Sequence, residues 1–254
     1  MSWQPAQYER FKEERAQPFR DLVALIRPEP GLRVLDLGCG TGALTRELHD
    51  SLGARETLGI DSSAKMLEGS KALETPTLHF QRSDVETFGA DQPFDLVFSN
   101  AALHWLPDHP DLFLRLRTLL APGGQLAVQM PSNETHLSHG TAVEVAAEEP
   151  FRSELSGYHR QSSVLPPEAY AELLYDLGFR QQHVELRIYG HELESGADVV
   201  EWVKGSLLTD YSRRLSPDAY DRFLERYRER LAGKIGERRP YFYTYRRILM
   251  RARL

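Results

Sequence analysis

Val34-Leu-Asp-Leu-Gly-Cys-Gly-Thr-Gly42 is an apolar, strand-forming run that breaks into three alternating glycines just where a helix should begin. Leu44, Leu48 and Leu52 follow at helical spacing. A strand, a glycine turn and a helix in that order form a ligand-binding device. Glycine lets the backbone turn tightly and approach a ligand, and the N–H groups of the helix start point toward it.

Outward from this stretch, apolar runs alternate with helical patterns. Strands are expected at Arg33–Leu37, Thr57–Asp61, Leu78–Asp84, Phe94–Asn100, Gln125–Met130, Phe179–Tyr189 and Tyr241–Arg253. Ser62-Ser63 offers cap oxygens for a helix after the second strand, and Asp108–Leu120 should be a helix stopped by Pro122-Gly123-Gly124. Parallel neighbours need crossover connections, so this rhythm predicts an α/β fold: a doubly wound, mostly parallel seven-stranded sheet. The chain is expected to form one domain over residues 1–254. An N-terminal helical segment at 1–31, with two helices around Pro18, would cover the ligand. Two helical lid insertions are expected at 132–165 and 195–239. In the second of these, Ser195-x-x-Asp198 and Ser216-Pro217 mark the starts of two helices.

Composition narrows the class. The 254 residues carry a net charge of -6, so the general basic field that nucleic-acid binding uses is absent. Membrane insertion is not expected, because no apolar run approaches the roughly 18 residues of a span. The single cysteine, Cys39, cannot form an internal disulfide, and no secretory leader is apparent; a cytoplasmic protein is expected. His136-x-x-His139 lacks further ligands at metal spacing, so no metal site is expected, and no Gly-x-Ser-x-Gly elbow is present. Nothing in the sequence bears on oligomeric state.

The ligand is decided by charge. The glycine order Gly38-x-Gly40-x-Gly42 is not the G-x-G-x-x-G of a dinucleotide site, and Asp36 lies in the strand just ahead of it. That carboxylate would repel a pyrophosphate but favour the ammonium and sulfonium of S-adenosyl-L-methionine. Asp61, followed by Ser62, ends the second strand about 20 residues beyond the loop, where such folds place an acid on the ribose hydroxyls. Asp84-Val85, at the expected end of the third strand, would meet the adenine. Asn100, at the end of the fourth, lies where the methyl group and its acceptor should come together, since ligands in open α/β sheets collect at the strands' carboxyl ends.

Val34–Gly42, Gly59-Ile-Asp61, Ser83-Asp84, Phe94–Asn100 and Leu120-Ala-Pro-Gly-Gly124 resemble the successive motifs of class I S-adenosylmethionine-dependent methyltransferases, whose sheet is Rossmann-like. Trp3-x-Pro-x-x-Tyr8, Asn100-Ala-x-Leu-x-Trp105-Leu-Pro-Asp-His109, Leu126-Ala-Val-Gln-Met-Pro131 and Trp202-Val extend the likeness to the trans-aconitate 2-methyltransferase family. The resemblance implies methyl-ester formation on a small polycarboxylic acid, with S-adenosyl-L-homocysteine as product and Trp3 and Tyr8 folded over the cofactor. Leu208-Thr209-Asp210-Tyr211 departs from that family, whose members carry Leu-Arg-Pro there, and His104 stands where a glutamine is familiar.

A carboxylate acceptor is ionised at neutral pH and needs no general base. A hydroxyl, amine or carbon acid would need one, and His104, beside Trp105, is the candidate. Arg160, Lys204, Tyr211, Arg213, Arg214 and Arg246 are candidate anchors for an anionic acceptor. Three alternatives stay open: an O-, N- or C-methyltransferase acting on another metabolite, an NAD-dependent oxidoreductase, and a non-catalytic cofactor-binding module.

Overall fold

The computed structural model describes residues 12–254, so Trp3 and Tyr8 lie outside the described residues. Helix α1 (Lys12–Leu25) is one continuous helix with Pro18 inside it, not two. Proline forfeits one backbone hydrogen bond but keeps a helical φ, and Phe19 and Leu22 bury fully beyond it. The chain continues through β1 (Arg33–Leu37), α2 (Ala43–Leu52), β2 (Glu56–Asp61), a 3-10 helix (Met66–Leu73), β3 (Leu78–Arg82), β4 (Phe94–Asn100), a 3-10 turn (Leu103–Trp105), α3 (His109–Thr118) and β5 (Leu120–Pro131). Beyond these lie α4 (Leu137–Ala147), α5 (Phe151–Glu154), α6 (Pro167–Asp176), β6 (Arg180–Leu193), α7 (Asp198–Lys204), α8 (Thr209–Arg214), α9 (Pro217–Ile235) and β7 (Tyr241–Arg253).

The seven strands form one sheet in the order β3-β2-β1-β4-β5-β7-β6. Neighbours from β3 to β5 are parallel, and β7 runs antiparallel to β5. The doubly wound, mostly parallel architecture expected from the alternating pattern is therefore present.

Four local expectations are corrected. β3 ends at Arg82, so Asp84 lies in the turn beyond the strand. β5 begins at Leu120, and Pro122-Gly123-Gly124 forms a bulge inside the strand: Phe94 pairs with Leu120, but Leu96 pairs with Gln125. The segment after Ser62-Ser63 is a 3-10 helix, not an α-helix, although the Ser63 hydroxyl does accept the Met66 N–H at 3.3 Å. The second insertion holds three helices because Thr209–Arg214 is helical; Ser216 caps the last of them by accepting the Ala219 N–H.

By internal packing the chain divides into two compact units. One comprises Glu13–Pro131, Ser163–Arg187 and Arg247–Leu254. One face of its sheet buries Leu37, Val97, Leu126 and Val128 with Phe113 of α3 and Tyr170 of α6. On the other face the Phe19 ring meets Phe98 edge-on at 5.6 Å, and the backbone of Arg27 is strapped to β5. There Gln125, 1% exposed, accepts the Arg27 N–H at 3.0 Å and donates to the Arg27 carbonyl at 2.9 Å. The second unit comprises Ser132–Ser162 and Ile188–Arg246. Its own core gathers Ala142 and Val145 of α4, Trp202 of α7, and Phe223 and Tyr227 of α9, with Tyr211 stacked on Phe223.

Candidate functional site

The loop between β1 and α2 is shaped by three left-handed glycines, at φ 76 for Gly38, 59 for Gly40 and 81 for Gly42. Gly38 has no room for a side chain: a Cβ there would sit 2.2 Å from the Cβ of Ala102. Gly38 and Cys39 both donate to the Ile60 carbonyl, Gly42 donates to Cys39, and Gly40 donates to Asp61 Oδ2 at 2.9 Å. The other carboxylate oxygen of Asp61 accepts the Ser63 N–H at 2.8 Å, so Asp61 holds the glycine loop and the turn after β2 together. Gly42 caps α2 with no side-chain hydrogen bond, unlike Asp108 and Ser216, which cap α3 and α9.

Asp36 is buried beneath this loop, 4% exposed, with Thr45 Oγ1 of α2 donating to its Oδ2 at 2.6 Å. Burial pushes its carboxyl up to about 7; the Thr45 hydrogen bond opposes the rise and the Asp61 charge adds to it. Among the described residues no cation pairs with this desolvated carboxylate, which makes it a ready counter-charge for a cationic ligand. Burial, and the charges of Asp36 and Asp61, push the Cys39 thiol far up, so Cys39 is a packing residue and not a nucleophile.

Ser62 is exposed beside Asp61. Ser83 N–H reaches the Asp61 carbonyl at 3.1 Å, which places Asp84 close to the end of β2 even though it lies past β3. Asp84 is exposed and folds its own turn, its Oδ1 accepting the Glu86 N–H at 2.9 Å, while Val85 is partly buried against the core. Asp36, Gly38, Gly40, Gly42, Asp61, Ser62, Asp84 and Val85 are therefore assembled at one end of the sheet, on β1, β2 and β3 and the turns that follow them.

Asn100 ends β4, and its Oδ1 is buried without a hydrogen-bond partner. The next residue, Ala101, takes a left-handed φ of 55, a conformation uncommon for alanine that turns the chain sharply beside the glycine loop. Ala101 N–H donates to the Gln129 carbonyl of β5. The turn carrying His104 and Trp105 follows, their rings 4.7 Å apart, with Trp105 40% exposed. Its seat is a buried network: His109 Nε2 donates to the Leu103 carbonyl, Nδ1 bonds the Tyr170 hydroxyl, and that hydroxyl also accepts the Leu165 N–H. Burial lowers the His109 pKa, so the ring is neutral at physiological pH. Tyr170→Phe should lower stability by about 1–3 kcal/mol, since it strips a partner from two buried groups; a denaturant titration checks this, and an unchanged midpoint would show that the network is not what seats the turn.

The remaining candidates lie in the second unit and are not gathered into one cluster. Arg160 meets Tyr211, whose hydroxyl accepts its backbone N–H at 3.3 Å, and its Nε stands 3.7 Å from Asp210. The acidic residue that departs from the family thus gives Arg160 a local partner. Arg214 also approaches Asp210, at 4.0 Å, and lies over the Tyr158 ring. Lys204 pairs with Glu201 on α7, Arg246 donates to Thr135 Oγ1 at 2.7 Å, and Arg213 is exposed on α8.

Reading the sequence missed Gln129. It is fully buried on β5, with neither end of its carboxamide hydrogen-bonded. Its only sequence signal is a polar amide inside the apolar run Leu126-Ala-Val-Gln-Met130.

Comparison with known proteins agrees with this geometry. A family profile described as a methyltransferase domain matches residues 34–124. A trans-aconitate 2-methyltransferase from Deinococcus radiodurans is 43% identical over 98% of this chain and 97% of its own. The S-adenosylmethionine dependent methyltransferase of Mesorhizobium loti shares the fold with TM-score 0.53 and 22% identity, covering 92% of this chain and 96% of that one. Phosphoethanolamine N-methyltransferase 2 of Haemonchus contortus, solved in complex with S-adenosyl-L-methionine, aligns with TM-score 0.56 at 21% identity over 94% of this chain; the chain spans about half of that protein, 52%. These matches replace the oxidoreductase and non-catalytic readings: the chain is an S-adenosylmethionine-dependent methyltransferase and belongs to the trans-aconitate 2-methyltransferase family.

Proposed function

We propose that this enzyme transfers the methyl group to a carboxylate oxygen of a small polycarboxylic acid, with trans-aconitate the first acceptor to test. The observation that carries the acceptor is the 43% identity to a protein of that name along nearly the whole chain. The residues present fit the cofactor, since a buried carboxylate that no cation pairs with among the described residues lies beneath the glycine loop. Asp36 would face the ammonium and sulfonium, the backbone at Gly38, Gly40 and Gly42 would admit the methionine portion, Asp61 with Ser62 would receive the ribose, and Asp84 with Val85 the adenine. Asn100 would stand between cofactor and acceptor.

When bound, S-adenosyl-L-methionine supplies an electrophilic methyl on a good leaving group. The chain's part is then to align the acceptor and exclude water. An ionised acceptor carboxylate would attack through one oxygen and displace the sulfur, giving a methyl ester and S-adenosyl-L-homocysteine, so no residue of the chain would need to take a proton. His104 is left without a necessary role as a base. The acidic overall charge speaks against a nucleic-acid substrate. Among the described residues no helix is long and apolar enough to cross a membrane, and with the lone thiol this supports the cytoplasm as the working compartment.

The test is turnover with S-adenosyl-L-methionine on a panel of di- and tricarboxylic acids, following S-adenosyl-L-homocysteine and the methyl ester together. Trans-aconitate should be turned over, with kcat at saturating cofactor flat from about pH 6.5 to 9, because the acceptor carboxylates are ionised throughout. Product formation on none of the acids would overturn the proposal. So would a kcat that rises with deprotonation of a histidine, which would shift the acceptor to a hydroxyl or amine and give His104 its role.

A further inference from the structure

The strand ends of the first unit can be read as a row. Asp36 pairs in register with Gly59 on β2 and with Phe98 on β4, so Asp61 and Asn100, each two residues further along, share its face of the sheet. Asn100 pairs with Gln129 on β5; Gln129 pairs with Leu249 on β7, and Arg247 is two residues beyond on that same face. Following the sheet order β2-β1-β4-β5-β7, the residues at this edge are Asp61, Asp36, Asn100, Gln129 and Arg247. Two carboxylates stand on one side of the paired amides, and a buried arginine, 6% exposed, stands on the other.

The amides themselves are open. Gln129 is 0% exposed and neither its Nε2 nor its Oε1 has a partner; the Asn100 Oδ1 beside it is also buried without one. Gln125 is the internal control. It has the same side chain on the same face of the same strand, four residues earlier, and it is equally buried, yet both ends of its carboxamide are bonded to Arg27. Buried amides in this protein can thus be satisfied by the chain, and Gln129 is not. Burying such a group is unfavourable unless something completes it.

We propose that Gln129 holds the acceptor: its Nε2–H donates to the non-reacting oxygen of the carboxylate that is methylated. The charge order along the row sets which ligand goes where. A cationic cofactor is favoured over the carboxylates of Asp61 and Asp36, and an anionic acceptor is favoured on the Gln129 side, toward Arg247. Asn100, whose buried Oδ1 has no partner, lies at the boundary between the two. Holding one carboxylate oxygen leaves the other to attack the methyl carbon in line with the departing sulfur, so the bond formed is carbon–oxygen, the bond broken is carbon–sulfur, and the electron pair leaves on sulfur. This assignment rests on the carboxyl-methylation reading above and adds to it the residue that orients the acceptor.

Gln129→Met and Gln129→Glu test it, with Gln125→Met as the comparison. Both Gln129 variants keep the side-chain length; Met removes the donor, and Glu replaces it with an oxygen that repels a carboxylate. With the full-length protein saturated with S-adenosyl-L-homocysteine, calorimetric titration of trans-aconitate should weaken about tenfold in Gln129→Met and more in Gln129→Glu. Affinity for S-adenosyl-L-homocysteine should stay within about twofold. Gln129→Met should melt no lower than the wild type, because an apolar replacement of an unpaired amide is neutral or stabilising. Gln125→Met should melt lower and bind acid normally. Unchanged acid affinity in both Gln129 variants would overturn the assignment, as would a loss confined to cofactor affinity. Wild-type turnover separates the two proposals: if the wild type methylates and binds none of the acids, the acceptor class has failed, whereas a wild type that works beside Gln129 variants that bind acid equally well leaves only this inference refuted.

Discussion

Gly38→Ala is expected to unfold the site and much of the fold's margin with it. Two separate costs add. A Cβ placed 2.2 Å from that of Ala102 forces β1 and the turn after β4 apart, and overpacking of that kind costs about 1–3 kcal/mol. An alanine held at φ 76 adds about 1–2 kcal/mol, because a side chain resists the left-handed region. A total of about 2–5 kcal/mol would lower the melting temperature by roughly 5–20 °C in a chain of this size. The two causes can be separated: Ala102→Gly in the same chain removes the collision but not the backbone strain, so the double variant should recover part of the loss. A Gly38→Ala protein that melts with the wild type and binds S-adenosyl-L-homocysteine equally well would refute the close approach of the two turns.

Asp36→Asn should act in opposite directions on binding and on stability. Burial raises the Asp36 carboxyl from 3.8 to about 7, so the folded, cofactor-free protein binds this proton more tightly than the unfolded chain does. A raised carboxyl of this kind lowers stability as pH climbs between those two values, by on the order of 4 kcal/mol in all. A cationic ligand reverses this by favouring the carboxylate. Cofactor affinity should therefore tighten about tenfold from pH 5.5 to 7, below the range where the ligand's own amine titrates. Asn keeps the acceptor for Thr45 but removes the titration. Its cofactor-free form should be at least as stable as the wild type at pH 7.5, while its affinity falls by about 2–4 kcal/mol, or ~30- to 1,000-fold, and loses its dependence on pH. Calorimetry across pH measures both; an Asp36→Asn protein with wild-type affinity would show that this carboxylate does not face the cation.

The parts that were legible from the sequence are those fixed by local pattern. β1, β4 and β7 fall where alternation and breakers place them, and Asp36 announced itself by standing mid-strand among Val34, Leu35 and Leu37. Pro122-Gly123-Gly124 misled because a bulge and a loop share the same turn residues; only pairing with Phe94 and Leu96 shows that the strand runs through them. Asp84 ended a strand in the pattern but a turn in the structure, since its own side chain competes for the Glu86 N–H. The open state of Gln129 could not be read at all. Whether an amide is satisfied depends on which strands flank it, and β7, which supplies Leu249 opposite, is more than a hundred residues away along the chain. Asp210 was visible as a departure from the family, but its partner Arg160 is brought to it only by tertiary packing.

The hydrogen bonds inside the glycine loop carry a further consequence for recognition. The amides of Gly38, Cys39, Gly40 and Gly42 already donate to Ile60, Asp61 and Cys39. A phosphate-binding loop works by leaving such amides vacant for the ligand's oxygens. Here they are spent on preorganising the turn, so an incoming phosphate would meet committed donors as well as the carboxylate of Asp36. The loop selects by outline and charge, and it stands ready before the ligand arrives, with little ordering left to oppose the encounter.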